Sequence, residues 1–243
     1  MTIMISKICG HRGAAFFKPE NTIPSFQWCV ENNISWAECD VQLTKDDIPI
    51  IFHDESLFKV SNKKNIVKDM LYQDTKSIDV GSWFSKRYCN ERIPSLVELL
   101  LFSKTNNLNL NLELKFYEPI NFMYRKKLVR SVISAINKTQ TNNQILISSF
   151  DFNSLEYYRQ LSTKTHLGLL FETLPENWEK KANKIGVSTI HLDYTKTSEY
   201  QIKEISKKSF KPFVYTCNNP KKIEKFWDFG LSGVITDNPI IFE

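Results

Sequence analysis

The sequence lacks the features that would indicate a disulfide framework, a zinc site or a membrane anchor. Its five cysteines are odd in number and include no Cys-x-x-Cys pair. No apolar run approaches the roughly 18 residues expected of a membrane span. Only nine residues precede the first motif, too few for a signal peptide. We therefore expect a cytoplasmic protein with reduced, mostly buried thiols and no stable membrane anchor.

Composition and charge are those of an ordinary globular protein. Of the 243 residues, 42% are hydrophobic and 24% are charged, and 32 basic against 27 acidic side chains leave a net charge of +5. The excess lies in scattered lysines, with no basic stripe interleaved with aromatic residues, so nucleic acid is not an expected partner. No linker, repeat or low-complexity tract divides the chain, which predicts one domain over residues 1–243. The oligomeric state is not determined by these features.

Short apolar runs alternate with amphipathic segments of helical length, a pattern typical of a parallel sheet and, at this regularity, of an α/β barrel. The predicted strands are Ile3–Cys9, Ser35–Thr44, Ile48–His53, Leu108–Leu114, Ile145–Ser149, His166–Phe171, Thr189–Leu192, Phe213–Thr216 and Gly233–Ile235. The predicted helices are Ser95–Phe102, Pro119–Asn137, Asn153–Leu161, Pro175–Lys184, Thr197–Lys207 and Asn219–Phe229, with an earlier helix entered at Pro19–Thr22.

Two segments depart from this alternation. Only Lys45–Asp47 separates the second and third strands, and a parallel crossover needs a dozen or more residues, so these strands are predicted to form an antiparallel hairpin. That hairpin places Asp40 opposite Phe52–His53. The stretch from Glu55 to Ile93 has weak periodicity and is predicted to be an inserted loop or small cap after the third strand.

Candidate catalytic residues stand at the predicted strand ends, where barrel enzymes gather their active sites. The first strand ends in Gly10-His11-Arg12-Gly13. Histidine can move a proton near neutral pH, and the planar fork of arginine matches a phosphate. The alternative interpretation is a turn that caps the strand, with His11 packed or solvated.

The second strand carries Glu38 and Asp40 on one face, because alternate strand residues point the same way, while Cys39 is predicted to pack against a helix. Two adjacent carboxylates are costly to bury unless a cation neutralises them, and oxygen ligands favour Mg²⁺ or Ca²⁺. A solvent-facing strand would be the alternative. The third strand ends at His53, and Asp54 follows it.

A strict polar–apolar alternation marks the strand Asn109-Leu110-Asn111-Leu112-Glu113-Leu114-Lys115. Glu113 and Lys115 share a face, which in a barrel interior suits a metal and a phosphate and on an exposed face would be a simple salt pair. Taken together, the two histidines, three acids, Arg12 and Lys115 suit acid–base and electrophilic catalysis on a phosphate ester.

The order of these motifs resembles the glycerophosphodiester phosphodiesterase family from about residue 8 to residue 239. The matching segments are His11-Arg12-Gly13, Pro19-Glu20-Asn21-Thr22, Glu38-Cys39-Asp40, Leu43-Thr44-Lys45-Asp46, His53-Asp54, Gly81-Ser82-Trp83-Phe84, Ile93-Pro94-Ser95-Leu96, Glu113-Leu114-Lys115, Ser149-Phe150 and Ile235-Thr236-Asp237-Asn238-Pro239.

The resemblance implies a variant (β/α)₈ TIM barrel that hydrolyses a small glycerophosphodiester to an alcohol and sn-glycerol 3-phosphate. It implies one divalent ion, Mg²⁺ or Ca²⁺, held by Glu38, Asp40 and Glu113. The residues it assigns to catalysis are His11 and His53, those it assigns to substrate and phosphate are Arg12, Lys115 and Tyr215, and those it places in supporting positions are Glu20, Asn21, Asp54 and Trp83.

Tyr215 departs from the family pattern, which usually has tryptophan where this chain reads Tyr215-Thr216-Cys217-Asn218, so the preferred alcohol is open. His166 is expected to be structural, and His191 is a weaker candidate for the pocket wall. Three rival functions stay open: a lysophospholipase D on the same scaffold, a non-catalytic binding barrel, and an unrelated metal-dependent barrel hydrolase. An apolar groove or interfacial surface would favour the first.

Overall fold

The computed structural model describes residues 5–62, 64–141 and 143–242. Its strands are β1 (Ile8–Gly10), β2 (Trp36–Leu43), β3 (Pro49–Ile51), β4 (Asn109–Leu114), β5 (Ile145–Ser149), β6 (His166–Phe171), β7 (Thr189–Asp193), β8 (Lys211–Tyr215) and β9 (Gly233–Thr236). All except β3 are parallel, in the order β1-β9-β8-β7-β6-β5-β4-β2, and β2 pairs with β1 to close the ring. The predicted TIM barrel is therefore confirmed. Ile3 and Met4 of the first predicted strand lie outside the described residues.

The helices of the described chain are α1 (Ile23–Glu31), α2 (Phe58–Ser61), α3 (Tyr72–Thr75), α4 (Leu96–Asn106), α5 (Phe122–Thr139), α6 (Phe152–Leu161), α7 (Trp178–Ile185), α8 (Glu199–Lys207) and α9 (Glu224–Asp228). The predicted helix Asn219–Phe229 is wrong as one element. It divides into a 3₁₀ turn, Pro220–Lys222, and α9, because the buried Ile223 between them has non-helical dihedral angles (φ −121°, ψ 9°). No helix among these residues is both long enough and apolar enough to cross a membrane.

The predicted hairpin of β2 and β3 is confirmed. Val41 lies opposite Ile51 and Leu43 opposite Pro49 in antiparallel register. The carbonyl of Asp40 accepts a hydrogen bond from the Phe52 amide at 3.0 Å. Because β1 pairs with β2 at Ala37, β3 continues the same edge of β2 beyond the barrel mouth. The tip of β3 is thereby brought over the barrel opening.

Alternate residues of each strand point into the barrel interior or outward toward the helices. The outward residues of β2 and β4 are at most 1% exposed and join the main hydrophobic cluster between strands and helices: Ala37, Cys39, Val41, Leu43, Leu110, Leu112 and Leu114. Full burial of a leucine side chain contributes roughly 1.5–3 kcal/mol. The packing of these residues leaves Glu38, Asp40 and Glu113 no orientation except the barrel interior.

The described residues of the inserted segment, 55–62 and 64–93, form two short helices, α2 and α3, and two 3₁₀ turns, in agreement with its weak periodicity. It has a separate small hydrophobic cluster formed by Ile50, Phe52, Leu57, Val67, Ile78, Val80 and Ile93. At its start, the Gln42 side chain on β2 donates hydrogen bonds to the carbonyls of Phe52 and Asp54, at 2.8 and 2.9 Å. These bonds fasten the loop that carries His53 to the barrel.

Candidate active site

Three carboxylates converge inside the barrel mouth. Glu38 and Asp40 lie on β2 and Glu113 on β4, where the strand register sets Asp40 beside Glu113. Ligand oxygens of the three lie within 4.8 Å of one another, and the residues are only 3, 1 and 8% exposed. The structure thus brings together the three acids that the sequence singled out.

The electrostatics of this cluster suit a bound cation. Burial raises the pKa of Glu38 well above its usual range, and the charges of Asp40 and Glu113 raise it further. Its Oε1 atom has no hydrogen-bond partner among the described residues, although its Oε2 accepts a bond from the Arg12 amide at 2.9 Å. A buried, unpaired carboxylate oxygen facing two other acids is an unfavourable arrangement that a divalent cation would relieve.

Asp40 has a different environment. Burial alone would raise its pKa, but Lys115 and Arg12, each 3.4 Å away, outweigh burial and hold the pKa below its usual range. The Asn21 side chain also donates to Asp40 Oδ2 at 2.9 Å. The cluster therefore pairs one strongly ionised carboxylate with one that resists ionisation.

His11 leaves the end of β1 and is held from the far end of the chain. Its Nδ1 lies 2.6 Å from Oδ1 of Asp237, and its Nε2 lies 4.0 Å from Glu38 Oε2. Asn218 donates to the other Asp237 oxygen at 2.6 Å. A carboxylate at Nδ1 fixes the ring and its tautomer and leaves Nε2 for chemistry. The sequence analysis assigned no role to Asp237, although it lies in the matched Ile235–Pro239 segment.

His53 follows β3 and has the same arrangement with a local partner. Its Nδ1 lies 2.6 Å from Oδ1 of Asp54, the next residue. This hydrogen bond lowers the pKa of Asp54 below its usual value and outweighs burial, which alone would raise it. Both histidines therefore have a carboxylate at Nδ1, and both line one cavity of about 310 Å³ at the barrel mouth.

Arg12 and Lys115 line the same cavity. Arg12 has a left-handed backbone (φ 50°), and Gly13 after it (φ 84°) lies so close to Ser25 that a Cβ would be 2.3 Å from the Ser25 hydroxyl. This turn directs the guanidinium toward Glu20, at 2.8 Å. The Lys115 ammonium lies 2.9 Å from Glu113. Burial would lower the pKa of Arg12 and of Lys115, but the surrounding carboxylates outweigh it and raise both, so both groups stay cationic.

The expected supporting residues lie at different distances from this centre. Asn21 is buried and contacts Asp40, whereas Trp83 is 38% exposed and is linked to the site only through other side chains. Lys59 lies 5.0 Å above the Trp83 ring and 2.8 Å from Glu20, which in turn contacts Arg12. Trp83 therefore lies at the end of a chain of contacts rather than on the cavity wall.

Two aromatic side chains, Phe150 and Tyr215, also line the cavity. Tyr215 packs edge-on against Phe150, at 5.8 Å between ring centroids, and its hydroxyl donates to the Phe171 carbonyl at 3.1 Å. The lining described for this cavity adds Asn111, Leu170 and Glu172, which the sequence analysis did not single out, and does not include His191. His191 is buried, and its Nε2 shares a hydrogen bond of 2.7 Å with the Thr189 hydroxyl. Burial lowers the pKa of His191 to about 3. His166 contacts Ser188 instead of the site.

The model of the glycerophosphoryl diester phosphodiesterase family matches residues 11–241. A glycerophosphodiester phosphodiesterase of Bacillus subtilis (strain 168) is 30% identical over 250 residues, which cover 96% of this chain and 83% of the relative. One from Caldanaerobacter subterraneus subsp. tengcongensis is 29% identical, over 97% of this chain and 96% of the relative. The solved structure of an Oleispira antarctica phosphodiesterase in complex with the product sn-glycerol-3-phosphate matches with a TM-score of 0.91. The match covers 97% of this chain and 94% of that one, at 26% sequence identity. The chain therefore belongs to the glycerophosphoryl diester phosphodiesterase family, which confirms both the family and the enzyme class, a phosphoric diester hydrolase, that its motifs predicted.

Proposed function

We propose that the protein hydrolyses glycerophosphodiesters to an alcohol and sn-glycerol 3-phosphate, with one divalent cation, Mg²⁺ or Ca²⁺, as cofactor. The observation that carries the proposal is the buried triad of Glu38, Asp40 and Glu113 in the same cavity as two carboxylate-oriented imidazoles. The Oleispira relative, whose fold this chain shares, was solved with sn-glycerol 3-phosphate as its product.

The three acids would hold the cation, and the unpaired Oε1 of Glu38 supports this assignment. When bound, such a cation supplies Lewis acidity toward a non-bridging phosphate oxygen, and carboxylate oxygens are the ligands that Mg²⁺ and Ca²⁺ prefer. Arg12 and Lys115 are positioned to donate hydrogen bonds to the phosphate from the same cavity. Their charge would stabilise the negative charge that develops on the equatorial oxygens.

The two imidazoles would move the protons. We assign His11 as the base, which takes the proton from the attacking oxygen at Nε2, and His53 as the acid, which protonates the departing alcohol. The attacking oxygen is that of water or of the substrate's own glycerol hydroxyl. Asp237 and Asp54 support proton transfer by both rings, because each holds the Nδ1 side of one ring and leaves its Nε2 for the substrate; the two roles can be exchanged without changing this geometry.

Replacement of Glu38 by glutamine tests the proposal most directly. The amide keeps the shape of the side chain and removes one negative ligand, so we expect Mg²⁺ and Ca²⁺ binding to weaken and turnover to fall at least about 10³-fold. Calorimetric titration would measure metal affinity, and release of sn-glycerol 3-phosphate from glycerophosphocholine would measure turnover. The matched control is Glu31→Gln, at an exposed position at the end of α1.

Chelation provides the second arm of that experiment. EDTA should abolish turnover by the wild type, and added Mg²⁺ or Ca²⁺ should restore it. Wild-type metal affinity in Glu38→Gln, or full turnover in EDTA, would contradict the metal site. A panel of glycerophosphodiesters with different alcohols, assayed with each metal, would then identify the preferred substrate.

A further inference from the structure

Two buried side-chain oxygens in residues that line the active-site cavity have no hydrogen-bond partner among the described residues. They are Oε1 of Glu38 and Oδ1 of Asn111, and the two residues are only 3% and 2% exposed. Glu38 and Asn111 occupy paired positions of the adjacent strands β2 and β4. Both atoms are acceptors, so neither can satisfy the other, and a buried acceptor without a donor costs free energy.

Asn111 faces the barrel interior because its neighbours on β4 face outward. Leu110 and Leu112 are buried in the main hydrophobic cluster, and alternate residues of a strand point to opposite faces. On the other side of β4, the position paired with Asn111 is Leu146, whose side chain has no polar atom. Asn111 therefore stands between an apolar residue of β5 and the carboxylate of Glu38 on β2.

Asn109, two residues earlier on β4, provides a comparison within the same strand. Its Nδ2 donates to the Ser35 carbonyl at 3.1 Å, and its Oδ1 accepts from the Gln144 amide at 2.9 Å. Asn109 is not among the residues that line the active-site cavity. The same residue type thus has both ends of its amide paired at the lower position and an unpaired oxygen at the position beside the acids.

We propose that Asn111 is a fourth protein ligand of the divalent cation, and that its amide oxygen joins the carboxylates of Glu38, Asp40 and Glu113. The inference rests on the proposed function, because it concerns the same cation. Ca²⁺ takes about six to eight oxygen ligands, which include amide oxygens, so Asn111 adds a ligand without adding a fourth negative charge. Mg²⁺ keeps more of its waters, so Ca²⁺ is the more sensitive probe of this ligand.

Calcium affinity tests the proposal. In Asn111→Leu a side chain of similar size lacks the oxygen, so the dissociation constant for Ca²⁺, measured by calorimetric titration, should rise at least about tenfold. Asn109→Leu is the matched control and should keep the wild-type dissociation constant. An unchanged constant in Asn111→Leu would overturn the inference and leave the proposed function standing. A wild type that binds no divalent cation and keeps full turnover in EDTA would refute the proposed function itself.

Thermal unfolding with and without metal separates a ligand from a structural residue. Asn111→Leu removes an acceptor that has no partner, so its Tm in EDTA should equal or exceed that of the wild type, whereas added Ca²⁺ should raise its Tm less. Asn109→Leu loses two hydrogen bonds and should behave in the opposite way, with a lower Tm in EDTA and the wild-type increase on adding Ca²⁺. The same Ca²⁺-dependent increase in Asn111→Leu as in the wild type would contradict a ligand.

Asn111→Asp determines which end of the amide faces the cation. The aspartate keeps an oxygen but has no N–H group, so Ca²⁺ should bind at least as tightly as to the wild type. Its Tm in EDTA should be lower, because four acids then repel one another without a cation. A loss of Ca²⁺ affinity as large as that of Asn111→Leu would mean that the amide donates to Glu38 instead, and it would overturn the assignment.

Discussion

The barrel strands and the inserted segment 55–93 both contribute to the active site, but at different depths. Strands β2 and β4 provide the three acids, which are 8% exposed or less, and His11 directly follows β1. The inserted segment reaches the site through Lys59, whose side chain is 40% exposed, and through Trp83 behind it. His53 lies between the two, on the loop that joins the hairpin to the inserted segment.

This difference in burial should determine how much each side chain contributes to turnover. A charge in the buried part of the site interacts through a poorly screened medium, whereas an exposed ion pair is worth about 0–1 kcal/mol and weakens with salt. The depth of a residue below the barrel mouth is thus a better guide to its effect than its number of contacts. Three experiments would test this comparison, and their expected effects decrease from the barrel outward.

The largest effect is expected from the two imidazoles. His11→Ala and His53→Ala should each lower kcat by about 10²–10⁴-fold, because each removes one proton-transfer group, while metal binding persists. Steady-state hydrolysis of glycerophosphocholine and calorimetric metal titration would measure the two properties. His166→Ala is the matched control, since His166 contacts Ser188 away from the site, and it should keep wild-type turnover. Undiminished turnover in either of the first two variants would refute the assignment.

An intermediate effect is expected at Asp237. Asp237→Asn should lower kcat by about 10–100-fold with little change in KM, because a hydrogen bond to a charged partner is worth about 1.5–3 kcal/mol. Asn218→Ala removes a side chain that donates to the Asp237 carboxylate and accepts from the Thr236 hydroxyl and the Asp237 amide, and it should cost less than Asp237→Asn because the carboxylate itself remains. The reverse order would show that Asn218 acts on the substrate rather than through Asp237. Rate measurements over a range of substrate concentrations would separate kcat from KM.

The smallest effect is expected in the inserted segment. Lys59→Met keeps an unbranched side chain and removes the ammonium group that lies over Trp83 and faces Glu20, so kcat/KM should fall no more than about fivefold. The difference from wild type should shrink as salt is added, because the pair is exposed. A loss as large as that of His53→Ala, measured by the same assay, would mean that the inserted segment takes a direct part in catalysis.

Local rules account for much of the site. The two-residue period of a strand set Glu38 and Asp40 on one face and alternated Glu113 with leucines, and the main hydrophobic cluster confirms both patterns. The connection at Lys45–Asp47 was too short for anything except a hairpin. By contrast, the helix predicted over Asn219–Phe229 is interrupted at Ile223, where local periodicity did not reveal the break.

Amino-acid order alone determined the strand–helix alternation and the placing of acids and histidines at strand tips, since these depend on spacings of two to four residues. Only the tertiary structure decided that Asp237 orients His11 across 226 positions and that Trp83 lies behind Lys59. Barrel closure sets β9 beside β1, with Thr236 opposite Gly10, and no local pattern encodes that contact.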